Sequence, residues 1–94
     1  MYKHVVVWQF KDGTEKEAKE FLSELEGLKG VIECLRSIQT GYNENPKEGA
    51  SGVLICEFDS MEDLNSYATD PRHLKVAAKC KPIRTSRVAC DFKE

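Results

Sequence analysis

YKHVVVWQF, residues 2–10, is the stretch of sequence that decides how this chain folds. Side chains alternate between the two faces of a β-strand, which separates two sets: Tyr2, His4, Val6, Trp8 and Phe10 on one face, and Lys3, Val5, Val7 and Gln9 on the other. Both sets are largely apolar, so the sequence predicts a strand that is covered on both sides. His4 is the polar exception, and it is either a satisfied core residue or part of a site.

The 84 positions after Phe10 repeat the signals of strands and helices in a simple order. Thr14 and Glu17 have the spacing of a capping box, and Gly27 and Gly30 are expected to end the helix that follows. A second helix is predicted to begin after Ser60. A third has Asp70 as N-cap and Pro71 in its first turn. The remaining predicted strands are 33–42, 51–58 and 84–92, with a polar loop at 43–50.

The predicted order is β-α-β-β-α-β, which is the ferredoxin-like α+β arrangement. Right-handed crossovers give an antiparallel four-stranded sheet in the order 4-1-3-2, with the helices on one face. We expect the other face to carry His4, Val6, Trp8 and Phe10 of the first strand. An apolar face of that size marks an interface. The sequence therefore predicts a homodimer through the sheet face, closed into a dimeric α+β barrel.

Composition limits the classes of function. The chain has 94 residues, the length of one domain spanning 1–94, and its net charge of −2 does not favour nucleic acid as a partner. Lys79, Lys81, Arg84 and Arg87 form a loose basic cluster, interpreted as a solvated edge. No apolar run approaches the roughly 20 residues of a membrane span, and strand pattern begins at once with no signal peptide, so a cytoplasmic protein is expected.

Cysteine spacing gives no indication of a metal site. The four cysteines, at positions 34, 56, 80 and 90, form no CxxC pair and no Cys/His ligand pattern. We expect them to be small buried hydrophobic residues. No metal and no cofactor are predicted.

Five short motifs together resemble the stress-responsive dimeric α/β barrel (Dabb) family. They are HVVVWQFKDG at 4–13, GV at 30–31, Gly41, FDSMEDLNSYATDPRH at 58–73 and CDF at 90–92. The resemblance covers essentially the whole chain. It implies a ferredoxin-like protomer, a homodimer and a cavity between sheet and helices. Most of the family has no assigned function; it includes stress-induced plant proteins and a plant polyketide cyclase that catalyses an intramolecular aldol condensation.

The resemblance also implies candidate site residues. The family pattern Tyr-x-x-His-Pro-x-His corresponds to YATDPRH, in which Tyr67 and His73 match the tyrosine and the last histidine. His4 matches a histidine of the first strand. Two positions depart from the cyclase: Asp70 replaces the first histidine of the pattern, and Gly52 stands where the cyclase has a histidine early in its third strand.

The chemistry of these residues allows two interpretations. A neutral His73 near a helix N-terminus can accept a proton as a general base, and Tyr67 can donate to an enolate oxygen. Alternatively, Asp70 caps the helix and His73 is a polar residue in its first turn. Tyr67 is then a core aromatic residue whose hydroxyl is in contact with water. Antiparallel pairing places His4 beside Asp91, as a structural pair or as part of a ligand site.

Three functions remain open from the sequence. The first is a Dabb-type barrel that binds a small apolar or aromatic molecule near His73 and Tyr67, with Trp8 and Asp91 as further ligand contacts and without catalysis. The second is a cyclase, lyase or isomerase with His73 as base. The third, by fold analogy alone, is a cofactor-free monooxygenase. A cavity of a few hundred Å³ would favour an enzyme, and filling of the space by Leu25 and Leu74 would exclude one.

Overall fold

The computed structural model describes residues 1–45, 47 and 49–94, and its strands and helices follow the predicted order. The strands are β1 (Tyr2–Phe10), β2 (Ser37–Tyr42), β3 (Gly52–Phe58) and β4 (Arg84–Lys93). The α-helices are α1 (Glu15–Glu26), α2 (Met61–Thr69) and α3 (Pro71–Ala77), and a 3₁₀ turn covers Ala78–Cys80. The sheet order β2-β3-β1-β4, with antiparallel neighbours throughout, confirms the predicted ferredoxin-like topology. Two residues of the predicted loop 43–50, at 46 and 48, lie outside the described residues.

The face of β1 that carries its large aromatic residues packs against the helices. Val6, Trp8 and Phe10 are buried within the single chain, and Trp8 meets Phe21 of α1 edge to face at 5.3 Å between ring centroids. Placing His4, Val6, Trp8 and Phe10 on the dimer face was therefore wrong. Both faces of β1 are apolar, so alternation alone could not say which one the helices cover.

The opposite face of the sheet is the one that remains open. We call it the outer face. It carries the other alternating set of β1 and the residues paired with that set on β3 and β4. The polar residues of this face are Lys3, Gln9, Glu57 and Ser86. Its apolar residues are Val5, Val7, Val53, Ile55, Val88, Cys90 and Phe92. Val88 is 67% exposed and Phe92 is 42% exposed. An open apolar sheet face was predicted, and it exists, but with different residues.

Side-chain caps start two of the helices but not the first. Ser60 Oγ accepts a hydrogen bond from the backbone N–H of Asp63 at 3.0 Å, and Asp70 Oδ1 accepts one from Arg72 at 2.8 Å. Thr14 is the N-cap residue of α1, but the predicted capping box does not form. Its hydroxyl instead donates to the carbonyl oxygen of Lys11 at 2.6 Å, which closes the preceding turn.

The second strand is shorter than predicted. It begins at Ser37 rather than at 33, because the backbone turns back on itself before it. The N–H of Ile32 donates to Leu28 O at 3.0 Å, and that of Leu35 donates to Ile32 O at 3.1 Å. The alternation predicted for 33–36 therefore does not form, although Leu35 is buried in the core.

The cysteines are unevenly buried. Cys56 and Cys80 are buried, Cys34 is half-buried and Cys90 is exposed on the outer face. Burial raises the pKa of the Cys56 thiol to about 12, so this group stays protonated. The prediction that all four are buried was wrong for Cys90, because its side chain lies on the uncovered outer face, and Cys34 is buried only in part. In the part of the chain described, no helix is long and apolar enough to cross a membrane.

The place of Trp8 gives a stability prediction. Trp8 is 4% exposed, and Trp8→Ala should lower the free energy of unfolding by about 3–5 kcal/mol, since a large buried ring is removed. Urea unfolding of dilute protein measures the change. As a control, Leu74→Ala, at a position 52% exposed, should cost no more than about 0.5 kcal/mol. Equal midpoints for the two variants would show that Trp8 is not core.

Candidate functional site

A cavity of about 50 Å³ lies between the inner face of the sheet and the helices. Its apolar wall consists of Val6, Trp8, Phe21, Leu25, Leu54, Ala77 and Cys80. Its polar wall consists of His4, Tyr67, His73, Arg84 and Arg87. A water needs roughly 10–15 Å³ of such space, so the cavity holds a few waters or a small group of atoms. Arg87 is exposed, so the cavity reaches the protein surface at β4.

The cavity is smaller than the few hundred Å³ that we expected for an enzyme. Leu25 is in its wall, but Leu74 is 52% exposed and does not fill it. Trp8 and Phe21 are aromatic residues of its wall. A Cβ atom on Gly52 would lie 3.0 Å from Phe10 Cε2, so the Phe10 ring leaves little room for a side chain at position 52.

Tyr67, on α2, contributes an unpartnered hydroxyl. The residue is 1% exposed, and its hydroxyl lies beside the Cys56 thiol. It is the one buried side-chain polar atom of the described residues that forms no hydrogen bond of regular geometry. Burial raises the pKa of the Tyr67 phenol above its ordinary value of 10. The group is therefore a neutral donor. Leaving such a group unpaired costs about 1–3 kcal/mol, which makes it a candidate for ligand binding.

His73, on α3, is held as a neutral imidazole with one bare nitrogen. Its Nδ1 lies 3.2 Å from the carbonyl oxygen of Ala68, which can only accept, so Nδ1 carries the proton. Burial lowers the pKa of His73 below its ordinary value of 6.5, and the charges of His4 and Arg87 act in the same direction. Nε2 is then free to accept a proton. The rings of Tyr67 and His73 are 4.4 Å apart between centroids.

Asp70 is not a partner of His73, although it starts the same helix. Its carboxylate accepts hydrogen bonds from the Arg72 backbone at 2.8 Å and from the Arg72 guanidinium at 2.8 and 3.0 Å. The Arg72 side chain lowers the pKa of Asp70 to about 2. Asp70 therefore stabilises the start of α3 and stays ionised.

His4 pairs with Asp91 across β1 and β4. The two residues face each other in the strand register, and His4 Nδ1 donates to Asp91 Oδ1 at 2.5 Å. The predicted neighbours do therefore meet. Asp91 does not line the cavity and reaches it only through His4, whose ring centroid is 6.5 Å from that of Tyr67.

The sequence interpretation missed Arg84 and Arg87 as cavity residues. Both were assigned to a solvated basic edge, and the structure places both in the cavity wall. Arg87 lies on the same face of β4 as Asp91 and pairs with Trp8. Alternation of side chains along β4 could therefore have predicted its position from the sequence. Arg84 had no such signal, because the register of β4 shifts between the two arginines. Within the described residues, no three His, Cys, Asp or Glu side chains converge as a metal site requires.

The family comparison matches almost the whole chain. The sequence model of the Dabb family, the stress responsive A/B barrel domain, matches residues 2–94. Olivetolic acid cyclase of Cannabis sativa is 29% identical over 76 residues, which are 77% of this chain and 75% of the cyclase. The stress-response A/B barrel domain-containing protein HS1 of Arabidopsis thaliana is 29% identical over 79 residues, which are 80% of this chain and 72% of HS1.

A solved structure gives the same fold. A dimeric protein of unknown function with a ferredoxin-like fold, from Bacteroides fragilis, superposes with a TM-score of 0.85 at 28% identity. The match covers 99% of this chain and 95% of the Bacteroides chain.

The unpartnered hydroxyl predicts an unusual stability change. Tyr67→Phe should raise the free energy of unfolding by about 1 kcal/mol, because it removes a buried polar group that forms no hydrogen bond. Chemical denaturation measures the change, with Tyr42→Phe, on a half-buried ring, as the matched control. A loss of stability on Tyr67→Phe would mean that the hydroxyl has a partner in solution.

Proposed function

We propose that this chain, which belongs to the stress responsive A/B barrel domain (Dabb) family, binds a small carbonyl compound in its cavity and transfers a proton next to the carbonyl. The observation that carries the proposal is that Tyr67 and His73 lie next to each other in the wall of the cavity. A buried phenol without a hydrogen bond and a neutral imidazole with a bare nitrogen line the same 50 Å³ cavity. The first suits a carbonyl oxygen, and the second suits the proton beside it.

The step needs no group beyond these two side chains. Tyr67 O–H donates a hydrogen bond to the carbonyl oxygen, and His73 Nε2 removes a proton from the adjacent carbon. The electron pair of the broken C–H bond forms the enolate, whose charge the phenol stabilises. The imidazolium then returns the proton to carbon. A positioned general base contributes roughly 10²–10⁴-fold, and one oxyanion donor roughly 10²–10³-fold.

His4, Asp91 and Trp8 support this step in the proposal. Asp91 accepts the Nδ1 proton of His4 and so fixes the orientation of its ring, which leaves His4 Nε2 as the nitrogen available to a ligand. Trp8 supplies apolar wall against the carbon skeleton of the ligand. In this arrangement Asp91 is a positioning residue, because it does not line the cavity.

The size of the cavity limits the substrate. The named relative olivetolic acid cyclase is a cyclase, but a 50 Å³ cavity with Phe10 packed on Gly52 does not favour folding a long chain into a ring inside it. Enolisation of a compound with few carbon atoms, or of the end of a longer molecule, fits the space better. Binding without catalysis is the second candidate, because the cavity of about 50 Å³ is smaller than the few hundred Å³ that we expected for an enzyme.

The proposal includes a homodimer through the outer face. The face presents aliphatic side chains on three adjacent strands, and Val88 and Phe92 are exposed in the single chain. Covering such a patch is favourable by roughly 25 cal/mol per Å² of apolar surface. The similar Bacteroides fragilis protein is described as dimeric, which supports a second copy as the cover.

Exchange of α-protons tests the catalytic step. The chain should catalyse deuterium incorporation into acetone, pyruvamide or pyruvate in D₂O, followed by NMR. His73→Gln and Tyr67→Phe should each reduce the rate at least about 10²-fold. Because His73 must be unprotonated, the rate should be level at alkaline pH and fall as the pH drops through the pKa of His73, which lies under its ordinary value of 6.5.

The control for this experiment is His4→Gln, which should lower the rate less than His73→Gln does. Absence of exchange by the wild-type chain with all three compounds would overturn the catalytic proposal. Equal rates for wild type and His73→Gln would overturn the role of the base.

Oligomeric state tests the outer face. Val88→Lys should convert a dimer of twice the 10.7 kDa chain mass into a monomer, because it places a charge in the apolar contact. Sedimentation velocity at micromolar concentration measures the mass. Met61→Lys, the same change on the helical side, should leave the dimer intact. A Val88→Lys protein as dimeric as Met61→Lys would place the interface elsewhere.

A further inference from the structure

We propose that the cavity selects carbonyl compounds that carry a carboxylate, which Arg84 and Arg87 bind at its mouth. The inference rests on the proposed function for the carbonyl end of the ligand and deepens it by naming the substrate class, small oxo acids. Its own support is the placement of the two arginines and their lack of paired carboxylates, neither of which enters the argument for proton transfer.

A shift of strand register brings the two arginines to one face. Residues three apart on a regular strand point to opposite faces. Trp8 pairs with Arg87 and Gln9 with Ser86, but Phe10 pairs with Arg84, so Thr85 is an extra residue in β4. This β-bulge turns Arg84 to the side of Arg87, and both line the cavity. Bulges commonly re-aim side chains next to functional sites.

The two guanidinium groups have no counter-charge of their own. The chain has four arginines. Arg36 and Arg72 form ion pairs with Asp59 at 2.6 Å and Asp70 at 2.8 Å. In the described part of the chain, neither Arg84 nor Arg87 forms an ion pair with a carboxylate.

The wall of the cavity is positively charged, although the chain as a whole carries a net negative charge. The net charge of the chain is −2, yet the described residues that line the cavity include two arginines and no aspartate or glutamate. Cations without a paired carboxylate attract anions, and a guanidinium matches the two oxygens of a carboxylate.

The position of the arginines fits an acid whose carbonyl points inwards. Arg87 is exposed and Arg84 is half-buried, whereas Tyr67 is buried. A carboxylate at the mouth therefore stays near water while the neighbouring carbonyl reaches the phenol. A bound anion would also offset the charge of Arg87, which is one cause of the lowered pKa of His73.

The test compares pyruvate with pyruvamide, which has the same number of heavy atoms but no charge. Protein NMR titration of the wild type should give a Kd for pyruvate about tenfold lower than for pyruvamide, as expected for hydrogen bonds to a charged group. Arg87→Gln and Arg84→Gln should each bring the two Kd values together. Arg87→Lys should retain part of the preference, because it keeps the charge but loses the paired donors.

Lys93→Gln is the matched control, since Lys93 lies on the same strand, pairs with Tyr2 and does not line the cavity. It should keep the preference of the wild type. Equal Kd values in the wild type, binding of neither compound, or a preference unchanged by both Arg→Gln variants would each overturn the inference. Arginine-dependent binding of pyruvate without α-proton exchange would support it while overturning catalysis. Exchange of α-protons in acetone and pyruvamide, without tighter binding of pyruvate, would support catalysis and overturn this inference.

Discussion

The structure depends on the alternation of side chains along β1, a central strand hydrogen-bonded to β3 on one side and β4 on the other. Its inner face is filled by Trp8 and Phe10, and its outer face by valines. Because side chains alternate between the two faces of a strand, the face that the helices cover determines both the core and the uncovered surface. It also points the side chain of His4 towards the helices, where it lines the same cavity as Tyr67 and His73.

The site combines few polar atoms with an apolar surround. Trp8 and Phe21 belong to the core of the protomer and also line the cavity, whose volume is about 50 Å³. In so small a space with an apolar surround, the hydroxyl of Tyr67 has no hydrogen bond and the imidazole of His73 favours its neutral form. The same packing thus supplies stability to the fold and reactivity to the two side chains, and it restricts the size of any ligand.

The sequence predicted the topology and several contacts correctly, because these follow from local signals. The order of strands and the caps at Ser60 and Asp70 are examples, and antiparallel pairing was enough to bring His4 to Asp91. It failed where the outcome depends on packing between elements. Nothing in β1 tells which of two apolar faces the helices take. The bulge that re-aims Arg84 has no glycine or proline to mark it.

The pairing of β1 with β4 also has a consequence for biogenesis. His4 and Asp91 are 87 residues apart in the chain, so a ribosome must add every residue up to Asp91 before this ladder can form. Until then β1 is an apolar strand without its later neighbour. Contacts so distant in sequence slow the search for the native state and leave nascent segments prone to aggregation. During synthesis, β1 is therefore unpaired for longer than the segments of a helical bundle, whose contacts are mostly local.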